Sequence, residues 1–303
     1  MKETEFKRDF EKRVYDTIND HRLFTKKDKL LVACSGGKDS TSVLHILHKR
    51  GYNVEAITID AGIGEYSNKN MISLRKFCDE NDILLHTESF RDFFGDSLRR
   101  LMGGLSSAGL RLNPCTVCGT LRRNLINRLA KRLGADYVVT GHNLDDEAQS
   151  IMMNLLRNNL EVAARLGPAT FMSKSGSGEG FVGRVKPLYF CSEAETERYS
   201  RMMGFPVKYS PCPLRKNAFR NKVRKMLDRL EKENKGLKAN LVNSFSRLLP
   251  ELRGARSGDM QGYCRTCGEP SGSMECRACS LLSYINIRKH PDHNKIRNKK
   301  TKK

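Results

Sequence analysis

Residues 29–40 read KLLVACSGGKDS, and this stretch decides the fold. A continuous apolar run that ends in small residues marks a strand buried on both faces of a parallel sheet. Two glycines follow, where the backbone can turn tightly and approach a ligand without a Cβ in the way. A helix is predicted from Ser40 to Lys49. The loop N–H groups, the Ser35 and Ser40 hydroxyls and the positive end of that helix together make an anion nest. The pattern is not GxxxxGK[ST], because the loop is shorter and carries Asp39.

Outward from this loop the strand–helix alternation continues. NVEAITID (53–60), ILLHTE (83–88) and ADYVVTG (135–141) read as strands, with helices near 68–80, 119–133 and 144–158. Such alternation implies βαβ units, hence an α/β fold with a parallel, doubly wound sheet. Phe6, Phe10, Val14, Ile18 and Leu23 give the leading segment, 1–24, one apolar helical face. The α/β domain is placed at 25–213, and FMSKSGSGEGF (171–181) within it is expected to be a mobile loop. RVKPLYF (184–190) looks strand-like, and a helix is predicted from near Ser192. Residues 214–253 read as two basic helices. GARSGDMQG (254–262) breaks the composition as a linker and opens a small cysteine module, 254–285. The rest, 286–303, is a basic tail expected to be disordered.

The chain has 303 residues, enough for one sizeable core with additions. No apolar run reaches the length of a membrane span, and the charged start MKETEFKRDF is not a secretory leader. A cytoplasmic location is therefore expected. There, ten cysteines with three CxxC pairs favour metal or catalytic thiols over disulfides. Fifty-five Lys and Arg against thirty-four Asp and Glu give a net charge of +21. An excess of that size points to a polyanionic partner, with nucleic acid the foremost candidate. The helix carrying Arg220, Lys222, Arg224 and Lys225 is the proposed RNA surface.

SGGKDS resembles the PP-loop of the N-type ATP pyrophosphatases, which cleave ATP between its α and β phosphates. The resemblance implies that Ser35, Gly36, Gly37, Asp39 and Ser40 hold the pyrophosphate, with Lys38 a further charge. Asp60 ends a strand where α/β sheets present ligand groups, so it is a candidate for the nucleotide or its magnesium; an ordinary turn aspartate is the equal alternative. TGHNLDDEAQ (140–149) again joins a strand to a helix. Asp145 and Asp146 suit a helix N-terminus on dipole grounds alone. With Gly141 and His142 they also stand where Mg²⁺ on ATP would be held, offsetting charge on the departing pyrophosphate.

Cys264, Cys267, Cys276 and Cys279 have the spacing of a tetrahedral zinc site. The short chain around them has little apolar core, so a metal is needed to fold it. Cys115 and Cys118, in NPCTVCG (113–119), have no second pair nearby; the one distant candidate is Cys212 in KYSPCPLRKNAFR. Cys34, Cys78 and Cys191 stand singly and read as core or surface fillers.

PCTVCGTLRRNLINRLAKRLGADYVVTGHNLDDEAQ, RVKPLYFCSEAETERY and SPCPLRKNAFR are together similar to the tRNA 2-thiolation enzymes, over roughly 25–232 and the terminal cysteine module. The resemblance implies a 4Fe–4S cluster on Cys115, Cys118 and Cys212, with one iron left open for incoming sulfur. It also implies ATP with Mg²⁺, a tRNA substrate, a homodimer, and either a ubiquitin-like sulfur carrier or free sulfide as donor. The uridine C2 oxygen would attack the α-phosphate, and sulfur would then displace AMP. Arg122 is assigned to catalysis; with Arg123 it would hold the substrate backbone or offset charge on the adenylated base. The family often begins with an extra zinc module, which the cysteine-free MKETEFKRDF lacks. The wobble uridine is the expected target. Alternatives are a T-loop uridine thiolase, a cluster-free enzyme using cysteine persulfide, and an amidotransferase-type PP-loop synthetase.

Overall fold

The computed structural model describes residues 2–170, 180–215, 219–254 and 262–285. Most of the expected loop at 171–181, nearly all of the linker at 254–262, and the tail 286–303 lie outside the described residues.

The helix α1 (Glu3–Asp20) leads into β1 (Leu30–Ala33), α2 (Lys38–Lys49), β2 (Val54–Asp60), α3 (Glu65–Glu80) and β3 (Leu85–Ser89). Then come α4 (Phe90–Phe94), α5 (Leu98–Ser107), α6 (Pro114–Arg132), β4 (Tyr137–Thr140), α7 (Leu144–Leu155) and α8 (Leu160–Ala163). The chain continues through β5 (Ala169–Thr170), β6 (Gly183–Val185) and α9 (Glu193–Met202) to a 3-10 turn, Pro213–Arg215. It ends in α10 (Phe219–Glu233), α11 (Leu237–Gly254), the ribbon β7 (Gly262–Tyr263) and β8 (Pro270–Ser271), and α12 (Arg277–Ser283).

The main sheet runs β3-β2-β1-β4-β6-β5. Leu30 pairs in register with Val54 on one side and Tyr137 on the other, both parallel. One strand departs from the expected all-parallel sheet: β5 pairs with β6 antiparallel, at the edge. It has only two residues, too few for hydrophobic patterning to reveal.

Alternation in β1 divides the core, as the two-residue period of a strand requires. Leu30 and Val32 face α1, α2 and α9, whereas Leu31 faces α4, α5, α6 and the cysteine module. The leading helix is part of this core. Phe6, Phe10, Val14 and Ile18 are buried, and the Phe10 ring stacks on Tyr199 with centroids 4.8 Å apart. A third cluster joins α7 to α10 and α11 through Ile151, Leu227, Val242 and Phe245.

The strand order reverses between β1 and β4, whose next neighbours in sequence lie on opposite sides. In open α/β sheets the crevice at such a reversal is where ligands bind, at the strands' carboxyl ends. SGGKDS follows β1 and GHNLDD follows β4, so both sequence motifs reach this one crevice.

Candidate active site

The loop after β1 is held by its own hydroxyl. Ser40 Oγ accepts from the Ser35 N–H at 3.2 Å and donates to the Gly37 carbonyl at 3.2 Å. Gly36 has φ +74°, and a Cβ there would strike the backbone of Asn70 on α3. The glycine is thus required by both conformation and space. The helix α2 starts at Lys38, two residues before the expected start, with Gly37 as its N-cap and no side chain capping it. Its first-turn N–H groups have no intrahelical acceptors, which suits a phosphate.

Asn143 ties the two motifs together. Its side-chain oxygen caps α7 by accepting from the Asp146 N–H at 3.1 Å, and its amide donates to Asp39 Oδ1 at 3.0 Å. Lys38 Nζ lies 3.2 Å from Asp39 and 3.0 Å from Glu193 at the start of α9. Burial raises the Asp39 carboxyl above its usual range against the opposing charge of Lys38.

The paired aspartates have different roles. Asp145 is buried with both oxygens engaged: Lys238 Nζ at 2.6 Å and the Glu193 N–H at 2.7 Å. These contacts tie Asp145 to α9 and α11 and leave each oxygen a further lone pair toward the crevice. Asp146 remains open to the crevice, 3.3 Å from Arg220. Asp60 Oδ1 accepts from the Gly62 N–H at 2.7 Å, the contact of a turn aspartate. His142 is exposed, with four charged side chains around its ring and Nδ1 2.9 Å from Thr140 Oγ1. Desolvation lowers it to about 4, aided by Lys186, Arg220 and Arg184 and opposed by Asp146.

The cysteine pair sits at the N-terminal end of α6, Cys115 in its first turn and Cys118 just beyond; the helix starts at Pro114, five residues before the expected start. Proline suits the first helical position, and Asn113 caps the helix by accepting from the Cys115 N–H at 2.9 Å. Cys115 and Cys118 therefore share one helix face, three residues apart. Cys115 Sγ lies 3.6 Å from the Leu214 carbonyl, which brings the chain just after Cys212 against the pair. All three cysteines are half-buried. Arg122 spans from this pair to the sheet, donating to the Ile59 carbonyl at 3.0 Å and standing 4.0 Å from Cys118 Sγ.

Two of the four expected RNA-binding cations are engaged by carboxylates at the crevice. Arg220 reaches Asp146 and Ser150, while Arg224 pairs with Glu193 at 2.7 Å. Only Lys222 and Lys225 of that set are exposed. Asn143, Glu193 and Lys238 were absent from the sequence expectations. Asn143 alone carried a local signal, as an N-cap residue before LDDE.

Cys264, Cys267, Cys276 and Cys279 place their ligand atoms within 4.8 Å of one another. Backbone N–H groups point at two of the sulfurs, Cys276 N to Cys264 Sγ at 3.2 Å and Cys279 N to Cys276 Sγ at 3.5 Å. Such donors stabilise thiolates, so the group is built for a cation. The module docks on α6 through buried Glu269, which accepts from Asn127 and lies 3.3 Å from Lys131. Among the described residues, no helix is long and apolar enough to cross a membrane.

Comparison with known proteins agrees with this geometry. The PP-loop domain family matches residues 3–230. The cytoplasmic tRNA 2-thiolation protein 1 of Drosophila ananassae is 33% identical over 283 residues, 91% of this chain and 80% of that protein. The tRNA-5-methyluridine(54) 2-sulfurtransferase of Pyrococcus horikoshii is 33% identical, covering 92% of this chain and 86% of its own. The U34-tRNA thiolase NcsA of Methanococcus maripaludis, solved with its [4Fe-4S] cluster, superposes with a TM-score of 0.76 at 30% identity, over 93% of this chain and 89% of that one. The chain belongs to the PP-loop family, in its tRNA 2-thiolation branch.

Proposed function

We propose that the protein is an ATP-dependent tRNA 2-sulfurtransferase that converts a uridine, at the wobble position, to 2-thiouridine. One observation carries this reading. The cysteine pair of α6 and the Cys212 segment meet, and Arg122 joins them to the end of β2, beside the strand that carries the PP-loop. A phosphate-binding loop and a three-thiol site thus share one end of the sheet.

Ser35, Gly36, Gly37 and Ser40 hold the pyrophosphate part of ATP at the start of α2. Lys38 and Asp39 fix the loop against α9 and Asn143. Asp146 and Asp145 would hold Mg²⁺, with neutral His142 beside them. The C2 oxygen of the uridine attacks the α-phosphate and pyrophosphate departs. Sulfur then adds at C2, and AMP carries the former carbonyl oxygen away. Arg122, close to Cys118 and aimed at the strand end, offsets charge on that adenylated base. Cys115, Cys118 and Cys212 fit a 4Fe–4S cluster as three half-exposed thiols from two segments, two of them at a helix N-terminus. A cluster bound there supplies an iron with an open position for sulfur.

The C-terminal group of four cysteines is read as a structural zinc site, given four thiols and no open position. A cytoplasmic setting, a homodimer and a thiocarboxylate carrier or sulfide as donor complete the proposal. The experiment is pyrophosphate release measured with and without tRNA, alongside iron and sulfide analysis after anaerobic purification. tRNA-stimulated release from iron-loaded protein is expected. Full thiolation by iron-free protein would favour persulfide chemistry on the same cysteines instead.

A further inference from the structure

On the Cys118 side of α6, three arginines from three elements gather with no ion pair to a carboxylate among the described residues. They are Arg123 on α6, Arg184 on β6 and Arg277 at the start of α12. Arg184 donates to the Arg123 carbonyl at 3.2 Å. The Arg123 guanidinium folds back over Gly119, 3.1 Å from where a Cβ would stand. Among the described residues, no ion pair neutralises any of the three. Asp146 pairs with Arg220, and Glu269, whose charge also reaches Arg184, is hydrogen-bonded by Asn127 and paired with Lys131. Arg220 flanks the group from α10.

Arg123 is exposed, with the charges of Arg220, Arg277 and Arg184 about it. Desolvation and the charges of Arg220 and Arg277 lower it, and burial beside Arg123 lowers Arg184 to about 10. Both remain cations at neutral pH. Like charges held this close repel one another, and an anion between them removes the repulsion. Guanidinium groups suit phosphate because their planar forks donate to two oxygens at once. The net charge of +21 makes RNA the anion available in bulk.

We propose that Arg123, Arg184 and Arg277, flanked by Arg220, form a subsite for a backbone phosphodiester of the RNA substrate on the cysteine side of the nucleotide crevice. The subsite rests on the reading of the protein as a tRNA thiolase and adds the contact that presents the target nucleotide to the cysteines. It also gives the cysteine module a share in RNA binding, because Arg277 directly follows Cys276.

The test measures binding of a fluorescently labelled tRNA transcript to the anaerobically purified full chain across a salt series. The double variant Arg123→Gln/Arg277→Gln changes two exposed residues. Its affinity should fall about tenfold, and the slope of log affinity on log salt should become shallower by about one unit. ATP affinity and metal content should stay at wild-type levels, and the matching double lysine variant should recover most of the slope. Unchanged tRNA affinity and slope in the glutamine variant would overturn the subsite. So would a parallel loss of ATP affinity, since the arginines would then serve the nucleotide. Failure of the wild-type chain to bind tRNA would instead remove the underlying reading, and the subsite with it.

Discussion

At Gly141 a Cβ would stand 2.6 Å from the Ser40 nitrogen, so the end of β4 presses directly on the phosphate loop. Gly141→Ala should push the start of α2 aside and weaken ATP binding about tenfold or more by calorimetry; unchanged affinity would mean that the loop yields freely. His142 should stay neutral on lowering the pH until about 4, followed by NMR of its ring protons. Because that value is lower folded than unfolded, the unfolded chain takes the proton first. Stability from this group is therefore intact above about 6.5 and falls as pH drops toward 4. The cysteines divide in a similar way. Burial pushes Cys34 well above the usual thiol range, Cys78 to about 11 and Cys191 to about 12. Iodoacetamide at neutral pH should leave those three unlabelled in metal-free protein while modifying half-buried Cys118 and Cys212, as peptide mass spectrometry would show.

At the scale of elements, the C-terminal helices are wired to the phosphate loop. Lys38 meets Glu193, Glu193 meets Arg224, Arg224 meets Asp228, Asp228 meets Lys238, and Lys238 meets Asp145. Asp145 closes the ring by accepting from the Glu193 N–H. The Lys238 and Asp145 side chains are only 10% and 12% exposed, so Lys238→Met leaves a buried carboxylate unpaired. We expect a loss of about 3 kcal/mol in urea unfolding, partly restored by adding Asp145→Asn. A loss within a few tenths of wild type would show that solvent reaches the pair. None of this ring was legible in the sequence, because Asp145 and Lys238 meet across 93 positions. Strands β1 to β4, by contrast, were legible, since apolar runs bounded by glycines and polar residues report burial directly. The early start of α6 was also open to reading: Asn113 and Pro114 are cap and first-turn residues, but cysteine spacing drew the eye to metal first.

At the scale of the molecule, the fold places two chemistries at one end of a sheet. The PP-loop and the cysteine pair were both visible as motifs, and family resemblance joined Cys212 to them. What patterning could not supply was the contact between α6 and the chain around Leu214, because nothing local encodes a meeting of residues 99 positions apart. It likewise could not show that Arg220 and Arg224 pair with Asp146 and Glu193, since a basic helix face reads the same whether it meets RNA or carboxylates. ATP activation and a three-cysteine sulfur site are proposed to act together on tRNA, and everything else depends on that coupling. Its most direct test is mass spectrometry of tRNA nucleosides after reaction with ATP and sulfide, using anaerobic wild-type protein and Cys115→Ala. The coupling predicts 2-thiouridine from the wild type and none from the variant, with ATP binding intact in both. Equal 2-thiouridine from both proteins would contradict it.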